Sequence, residues 1–270
     1  MAASLLASVS QKLRLPRLVG HRGEAARAPE NTLAAIRMAA ASGLRWVEFD
    51  AKLSGDGVPI LFHDDTLDRT TNGEGPVAAT PFAAIRTLDA GAWFSAAFAG
   101  EPVPTLAEAL DLLVALDIGA NVEIKPCPGR DMETAQAVCA TIGTHWPRDR
   151  GGLLISSFSR SALDRAREVA LDLPRGLLVW DRVGTMIEDA AALDCVSIHC
   201  AHQHLTARMA RAVKQAGYIL VVYTVNEPAL ARQLIEWGVD TIITDDSGTL
   251  GAAAPENTGR VSDRGEVPAT

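Results

Sequence analysis

Two histidines that follow short apolar runs are the residues of this chain best suited to chemistry. His21, with Arg22 beside it, comes directly after Leu18-Val19-Gly20, and His63 closes the apolar run at residues 59–62. Runs of this length are typical of buried strands, so both histidines are expected at strand ends. Histidine has an ordinary pKa near ~6.5, which suits proton transfer at neutral pH. The pair could remove one proton and supply another around an anion that Arg22 holds.

Acidic residues alternate with apolar residues in two further runs, at residues 46–50 and 121–125. Side chains of a strand point alternately to its two faces, so Glu48 and Asp50 share one face. Glu123 and Lys125 share a face of the second run for the same reason. The apolar residues between them are expected to pack against helices, which leaves the charged side chains to meet in one pocket.

The three carboxylates of Glu48, Asp50 and Glu123 would repel one another in a pocket of low dielectric constant. Either raised pKa values or a bound cation would relieve that repulsion. Carboxylates completed by water suit a hard divalent ion, Mg²⁺ or Ca²⁺. Salt bridges to Arg22 and Lys125 are the alternative, and for Glu48 alone they are the preferred interpretation. Because all three acids stand at strand ends, we predict a divalent-metal site.

The elements that position these residues follow a regular alternation of short apolar runs with segments of helical periodicity. Short strands separated by helices predict a parallel sheet. Eight such units in about 230 residues favour a closed (β/α)8 TIM barrel, an α/β fold. A doubly wound open sheet is the alternative, although no Gly-x-Gly-x-x-Gly follows any strand. The barrel strands are predicted at residues 18–21, 46–50, 120–124, 153–156, 176–179, 196–198, 219–223 and 241–243.

The regular pattern is interrupted after the second strand. Ser54-Gly55-Asp56-Gly57 is typical of a hairpin turn, and residues 64–104 are rich in glycine and proline with only short helical fragments. We therefore expect a small insertion at about 64–104 within a barrel domain at 16–250. Residues 1–15 are expected to form an N-terminal extension, and residues 251–270 a disordered tail.

Composition narrows the class of protein. The net charge of −8 over 270 residues argues against a nucleic-acid partner. The four cysteines form no Cys-x-x-Cys pair, which favours reduced thiols in a cytoplasmic protein. The apolar start lacks the basic region of a signal peptide, and no apolar segment reaches the ~20 residues of a membrane span. We expect a cytoplasmic protein without stable membrane association, whose oligomeric state is open.

Taken together, the motifs resemble those of the glycerophosphodiester phosphodiesterases. The resemblance runs from about Leu18 to Asp245, and it is specific because the motifs keep the family's order and spacing. His-Arg-Gly alone would be a weak signal. The motifs are His21-Arg22-Gly23, Pro29-Glu30-Asn31-Thr32, Glu48-x-Asp50, Asp56-Gly57-Val58-Pro59-x-x-x-His63-Asp64, Thr70-Thr71-Asn72-Gly73-x-Gly75, Glu123-Ile124-Lys125 and Tyr223-Thr224-Val225-Asn226.

This resemblance implies a TIM barrel with a small insertion after the second strand and hydrolysis of glycerophosphodiesters to sn-glycerol 3-phosphate and an alcohol. The chain looks most like the cytoplasmic bacterial branch, which serves glycerol and lipid metabolism. Glu30 and Asn31 would border the site as supporting residues. The roles implied are an acid–base pair of His21 and His63, phosphate contacts by Arg22 and Lys125, and a divalent cation held by Glu48, Asp50 and Glu123.

Two mechanisms are open. In one, the glycerol 2-hydroxyl attacks phosphorus, one histidine accepts its proton, the other protonates the leaving alcohol, and water then opens a cyclic phosphate. In the other, water attacks directly. The functional alternatives are a lysophospholipase D-like enzyme with an apolar lip at Trp93, Phe94 and Phe98, a non-catalytic sugar-phosphate-binding barrel, and an unrelated metallohydrolase barrel. The non-catalytic barrel predicts loss of a key residue, and none is missing.

Several polar residues near the predicted strand ends stay outside the main assignment. His199, His202 and His204 are interpreted as loop residues in preference to pocket-lining residues or metal ligands. Asp64 could orient His63, and Asp245 could border the mouth of the barrel. Tyr223 stands where some relatives have tryptophan, so its part in lining the pocket is open.

Overall fold

The strands form a closed parallel barrel, as predicted. The structure is a computed structural model that describes residues 13–181 and 184–255. The described strands run in the order β1-β9-β8-β7-β6-β5-β4-β2-β3, and an additional β1–β2 pairing closes the ring. An open doubly wound sheet is excluded because it would have two edge strands, whereas each of the eight described parallel strands has two parallel neighbours and β1 pairs with both β2 and β9. The strands are β1 (Leu18–Gly20), β2 (Trp46–Leu53), β3 (Pro59–Leu61), β4 (Gly119–Ile124), β5 (Leu153–Ser157), β6 (Arg175–Val179), β7 (Ser197–Ala201), β8 (Ile219–Tyr223) and β9 (Thr241–Thr244).

Helices follow the barrel strands and cover the outside of the ring. The helix after the insertion begins with a capping box, in which the Thr105 hydroxyl accepts from the Glu108 amide and the Glu108 carboxylate accepts from the Thr105 amide. Among the described residues, no helix is long and apolar enough to cross a membrane. The helices are α1 (Leu33–Ala41), α2 (Phe82–Ile85), α3 (Leu106–Leu116), α4 (Asp131–His145), α5 (Arg160–Val169), α6 (Met186–Ala192), α7 (Ala207–Gln215), α8 (Pro228–Glu236) and α9 (Ser247–Leu250).

Alternation along β2 and β4 places apolar residues on the outer face and charged residues on the inner face near the carboxyl ends of these strands. Val47 and Phe49 of β2 and Val122 and Ile124 of β4 are fully buried and belong to the large core shared with the helices. Burial of each such side chain contributes about 1.5–3 kcal/mol, so this layer fixes which face of each strand turns inward. The acidic residues of β2 and β4 occupy the other face, as the sequence pattern predicted.

The insertion after the second strand is present and begins with a hairpin. Strand β3 pairs antiparallel with the end of β2 through a turn in which Gly57 has a φ of +83°. The following segment has short helical turns and its own small apolar core, and the chain returns where the Leu61 amide donates to the Pro104 carbonyl. That core consists of Ile60, Phe62, Leu67, Val77, Ile85, Ala90 and Val103.

The observed boundaries differ from the predicted ones in ways that have local causes. Strand β1 ends at Gly20, one residue before His21, because the chain turns at Arg22 with a φ of +50°. Strand β2 continues to Leu53 because β3 pairs with residues 51–53. Strand β7 begins at Ser197 and extends to Ala201 rather than ending at residue 198, because it pairs with β8 through Ala201.

The two predicted terminal segments fall mostly outside the described residues. Residues 1–12 of the expected extension and 256–270 of the expected tail are not described. Leu13 is buried in a small core with Val19 and Trp46, so the end of the extension packs against the barrel. Ala253 and Ala254 are also buried, whereas Gly251, Ala252 and Pro255 are exposed.

Candidate active site

The seven residues singled out in the sequence lie together at the carboxyl end of the barrel strands. His21 and Arg22 follow β1, Glu48 and Asp50 lie in β2, and His63 follows β3. Glu123 lies near the end of β4, and Lys125 follows it. The parallel register of β2 and β4 sets Asp50 directly beside Glu123. This is the end of the barrel at which TIM-barrel enzymes hold their active sites.

The carboxylates of Glu48, Asp50 and Glu123 form a buried cluster. One oxygen from each lies within 4.8 Å of the others, and all three side chains are buried. Burial and the neighbouring Asp50 raise the pKa of Glu123 to about 7. Burial, Asp50 and Glu123 raise the pKa of Glu48 well above its ordinary value. Burial and mutual repulsion of the carboxylates therefore favour either protonation or a bound cation that offsets the negative charge.

Asp50 differs from the other two acids because it contacts two cations, Arg22 and Lys125, and the side-chain amide of Asn31. Burial would raise its pKa, but Arg22 and Lys125 lower it to about 2. The Arg22 Nε lies 3.3 Å from Oδ2, and the Lys125 Nζ lies 3.4 Å from Oδ1. Asn31, buried and with a φ of +57°, donates to Asp50 Oδ2 at 2.8 Å and accepts from the Asp50 amide at 3.1 Å.

The donor set fits a hard divalent ion. Three buried carboxylates offer oxygen ligands only, and a divalent cation would offset the burial and repulsion that raise the pKa values of Glu48 and Glu123. The salt bridges considered as the alternative are also present, since Lys125 lies 3.1 Å from Glu123 Oε1. Asp50 takes part in two of these salt bridges, whereas the Glu48 carboxylate contacts, within the described part of the chain, the Arg22 amide at 3.2 Å and His21 at 4.0 Å.

His21 is held by a carboxylate from the last strand of the barrel. Its Nδ1 lies 2.6 Å from Asp245 Oδ1, just beyond β9. Asn226 donates to the other oxygen of Asp245 at 2.7 Å, and its own carbonyl accepts from the Thr244 hydroxyl and the Asp245 amide. The imidazole Nε2 faces the carboxylate cluster, 4.0 Å from Glu48. Asp245 had been expected only to border the mouth of the barrel.

His63 is held by the residue that follows it. Its Nδ1 lies 2.6 Å from Asp64 Oδ1, so the suggestion that Asp64 orients His63 is confirmed as a contact. Burial lowers the pKa of His63, and the charges of Arg22 and Lys125 lower it further against the attraction of Asp50. Arg69 binds both oxygens of Asp64 and both oxygens of Glu30.

Two of these supporting residues were missed in the sequence. Arg69 lies between Asp64 and the Thr70-Thr71-Asn72-Gly73 motif, and a basic residue six positions after a candidate histidine was the available signal. Asn226 belongs to the Tyr223-Thr224-Val225-Asn226 motif, but the sequence did not indicate its role. Neither contact could be predicted from local sequence, because Asn226 is 19 residues from Asp245 along the chain and Arg69 is 39 residues from Glu30.

The other half of the barrel mouth is aromatic. Phe158 follows β5, packs edge-to-face with Tyr223 at 6.0 Å, and has the Lys125 Nζ 5.8 Å from its ring centre. The Tyr223 hydroxyl donates to the Val179 carbonyl, so this residue lines the interior beside the charged half. Trp180 follows β6 and is exposed against His204.

The three late histidines do not converge. His199 is buried in the interior with its Nε2 2.9 Å from the Ser197 hydroxyl, and burial lowers its pKa to about 3. His202 is half-buried and His204 is exposed. In the described part of the chain, the only cluster of potential metal ligands is Glu48, Asp50 and Glu123.

Comparison with known proteins agrees with this geometry. The glycerophosphoryl diester phosphodiesterase family matches residues 21–249. A glycerophosphodiester phosphodiesterase of Caldanaerobacter subterraneus is 35% identical over 237 residues, which cover 86% of this chain and 95% of that protein. A glycerophosphodiester phosphodiesterase of Bacillus subtilis is 30% identical over 244 residues, 84% of this chain and 82% of its own length.

Solved structures give the same result. A phosphodiesterase of Oleispira antarctica in complex with the product sn-glycerol-3-phosphate superposes with a TM-score of 0.86 at 38% identity, covering 88% of this chain and 96% of that one. A glycerophosphodiester phosphodiesterase of Agrobacterium tumefaciens has a TM-score of 0.76 at 31% identity, covering 88% and 100%.

The barrel and the charged site at its carboxyl end define a TIM-barrel hydrolase. The family match extends over most of the chain and includes every residue of the site. The chain belongs to the glycerophosphoryl diester phosphodiesterase family and is a glycerophosphodiester phosphodiesterase.

Proposed function

We propose that the enzyme hydrolyses glycerophosphodiesters to sn-glycerol 3-phosphate and an alcohol, with His21 and His63 as its two proton carriers. The observation that carries this assignment is their matched arrangement. Each histidine has its Nδ1 2.6 Å from a carboxylate oxygen, which leaves Nε2 for the substrate. The product complex of the Oleispira antarctica relative supports sn-glycerol 3-phosphate as the product.

Arg22 and Lys125 are proposed to hold the phosphate oxygens. Both are cations within 3.4 Å of Asp50, so their charged ends are already directed into the pocket where a diester would lie. Positive groups fixed in a site that excludes water stabilise the charge that develops on the phosphoryl oxygens. Lys125 also lies over Phe158, which limits its side chain to one side of the mouth.

Glu48, Asp50 and Glu123 are proposed to hold Mg²⁺ or Ca²⁺. A bound divalent ion would neutralise the cluster and polarise oxygens of the substrate. The protein's own groups carry out the proton transfers. One histidine Nε2 accepts the proton of the attacking hydroxyl, from the glycerol 2-position or from water. The oxygen of that hydroxyl bonds to phosphorus, the other histidine donates a proton to the oxygen of the leaving alcohol, and the phosphorus–oxygen bond to that alcohol breaks. Attack by water gives sn-glycerol 3-phosphate directly, whereas attack by the glycerol 2-hydroxyl gives a cyclic phosphate that water then opens.

The test is a panel of phosphodiesters read by release of sn-glycerol 3-phosphate, with and without EDTA. We expect glycerophosphodiesters to be hydrolysed, activity to be lost with EDTA and restored by a divalent cation, and His21→Ala and His63→Ala to lose about a thousandfold in kcat. His145→Ala is the matched control, because that histidine pairs with Asp111 on the outer helices. Full activity in His21→Ala, or indifference to EDTA, would refute the assignment.

Lysophospholipid hydrolysis is kept as a second candidate because of one observation. Trp93, Phe94 and Phe98 of the insertion pack edge-to-face with ring centres 5.7 Å apart, and Trp93 is exposed. An exposed aromatic cluster of this kind could receive an acyl chain. Comparing glycerophosphocholine with lysophosphatidylcholine decides between them, since a lipid-directed enzyme would have the higher kcat/KM for the lysolipid. Cytoplasmic location and a role in glycerol metabolism stay predictions from the sequence.

A further inference from the structure

Within the described part of the chain, Arg69 hydrogen-bonds to none of the seven predicted site residues, yet four of its N–H groups are bound. Its Nε donates to Asp64 Oδ2 at 2.6 Å, and its Nη2 donates to Asp64 Oδ1 at 2.9 Å. On the other side, Nη1 and Nη2 donate to the two oxygens of Glu30 at 2.8 Å each. Four of the five N–H groups of the side chain are therefore occupied by protein carboxylates. A guanidinium engaged in this way has one N–H left for any ligand.

The two carboxylates that Arg69 joins each hold a different residue of the site. Asp64 Oδ1 lies 2.6 Å from His63 Nδ1. Glu30 Oε1 accepts from Arg22 Nη1 at 2.5 Å, and Arg22 lies 3.3 Å from Asp50. The charges alternate along this chain of contacts from the histidine to the carboxylate cluster. Arg69 is its midpoint, and it comes from the insertion rather than from a barrel strand.

We propose that Arg69 is a positioning residue that sets His63 and Arg22 at one fixed spacing by binding Asp64 and Glu30 together. This inference rests on the proposed function, in which His63 transfers a proton and Arg22 holds phosphate. With Asp64 fixed, His63 donates its Nδ1–H to the carboxylate and keeps Nε2 free as the group that faces the substrate. With Glu30 fixed, the Arg22 guanidinium keeps its position against Asp50.

The geometry of the guanidinium, rather than its charge, is what this role requires. Arg69 is 45% exposed, and exposed ion pairs stabilise a fold weakly because solvent screens them. A planar fork can bind two carboxylates at once on two of its edges, whereas an ammonium is a point charge without a fixed fork. Arg69→Lys should therefore keep the positive charge but no longer hold His63 and Arg22 at their fixed spacing.

The experiment measures kcat and KM for glycerophosphocholine in the wild type, Arg69→Ala, Arg69→Lys and Arg86→Ala. Arg86 is the matched control. It also lies in the insertion, is 38% exposed, and makes a two-bond pair with Glu108 at 2.7 Å, away from the site. For both Arg69 variants we expect kcat to fall about 10- to 100-fold with KM within about twofold of the wild type. Arg86→Ala should keep kcat within about twofold.

Three kinetic outcomes would overturn the inference. An Arg69→Lys enzyme with wild-type kcat would show that charge alone suffices. An increase in KM with unchanged kcat would show that Arg69 contacts the substrate directly. Equal decreases in kcat for Arg69→Ala and Arg86→Ala would show that Arg69 forms only a structural ion pair. The double variant Arg69→Ala with Asp64→Asn should lose less than the product of the two single losses, because part of the effect of Arg69 passes through Asp64 and part through Glu30. If Arg69→Ala does not fold, Arg69→Gln replaces it in the comparison.

A second readout needs no substrate and separates this inference from the proposed function. The ¹⁵N chemical shifts of the His63 ring report which nitrogen carries the proton. We expect the Nδ1–H form in the wild type and a mixture of both tautomers in Arg69→Ala. A wild-type enzyme that hydrolyses no glycerophosphodiester would refute the proposed function, whereas an unchanged His63 tautomer in Arg69→Ala would refute the positioning role.

Discussion

At the scale of single residues, the site is built from two histidine–carboxylate pairs that have different supports. Asp245 is held by the neutral amide of Asn226, whereas Asp64 is held by the cation of Arg69. Asp64 therefore has a pKa well below its ordinary range, with the Arg69 hydrogen bonds as the largest cause. Because the amide of Asn226 carries no charge, it offsets the negative charge of Asp245 less than Arg69 offsets that of Asp64. The two proposed proton carriers therefore lie in unequal surroundings, which is what an acid and a base acting together would require.

Replacing Asp245 with asparagine should separate orientation from charge. Asp245→Asn keeps the size of the side chain but can no longer stabilise a protonated His21 or fix its tautomer, so we expect kcat to fall by about a hundredfold. Steady-state kinetics with glycerophosphocholine measure this. Asp246→Asn is the control, since Asp246 caps α9 through Thr249 and does not contact the site. A kcat for Asp245→Asn equal to that of Asp246→Asn would contradict the role of Asp245.

At the scale of elements, the loop between β1 and α1 holds His21 and Arg22 against the barrel. Two backbone hydrogen bonds fix its conformation. The Gly23 amide donates to the Glu48 carbonyl of β2, and within the loop the Asn31 amide donates to the Arg22 carbonyl. Arg22 and Asn31 both have positive φ values, +50° and +57°, and that strain persists because these contacts fix the turn. Small changes in the packing of α1 are therefore transmitted to the site.

Gly23→Ala tests this coupling. Gly23 has a φ of +96°, and a Cβ there would lie 2.6 Å from the Cβ of Ala35 in α1. We expect a loss of about 2–5 kcal/mol in the free energy of unfolding, together with a lower kcat, because the loop must move away from α1.

Gly43→Ala provides the comparison, because Gly43 has a φ of +83° with nothing within 4 Å of a new Cβ. It should cost about 1 kcal/mol, from backbone strain alone, and leave kcat unchanged. Chemical denaturation and steady-state kinetics measure both variants. Equal stability losses in the two variants would mean that contact with α1 does not fix the loop.

At the scale of the whole molecule, we expect the carboxylate cluster to make the stability of the fold depend on pH and, through the proposed metal site, on divalent cations. The folded pKa of Glu123 is raised from its ordinary 4.5 to about 7. Its protonated form therefore stabilises the fold, fully below about pH 4.5, and this contribution is lost as the pH rises through 7. A divalent cation bound to the cluster would replace the lost protons and restore stability.

Thermal unfolding at pH 5.5 and pH 8, in EDTA and in excess Mg²⁺ or Ca²⁺, tests this dependence. In EDTA we expect a lower Tm at pH 8 than at pH 5.5, and a rise in Tm at pH 8 when the cation is added, worth about 2.7 kcal/mol at a hundredfold excess over Kd. Glu123→Gln should flatten the pH dependence and remove the response to the cation. Glu168→Gln, on the outside of the barrel, should retain both. A cation response that survives in Glu123→Gln would refute the metal site.

The fold was predictable because local patterns determine it. The alternation of Glu48 and Asp50 with Val47 and Phe49, and the helical periodicity between strands, depend on neighbouring residues only. Boundaries were less predictable, since β2 extends to Leu53 only because β3 pairs with it. The position of His21 beyond β1 likewise depends on a turn at Arg22 that no propensity predicts.

The sequence by itself determined the family, the barrel with its insertion, and the seven residues that lie at the carboxyl end of the strands, because residue type and strand period act over short stretches of chain. Only the tertiary structure decided what supports those residues. Asp245 reaches His21 across 224 residues, and Arg69 reaches Glu30 from the insertion. Closure of the barrel creates these contacts by making the last strand a neighbour of the first, and no local pattern encodes that proximity.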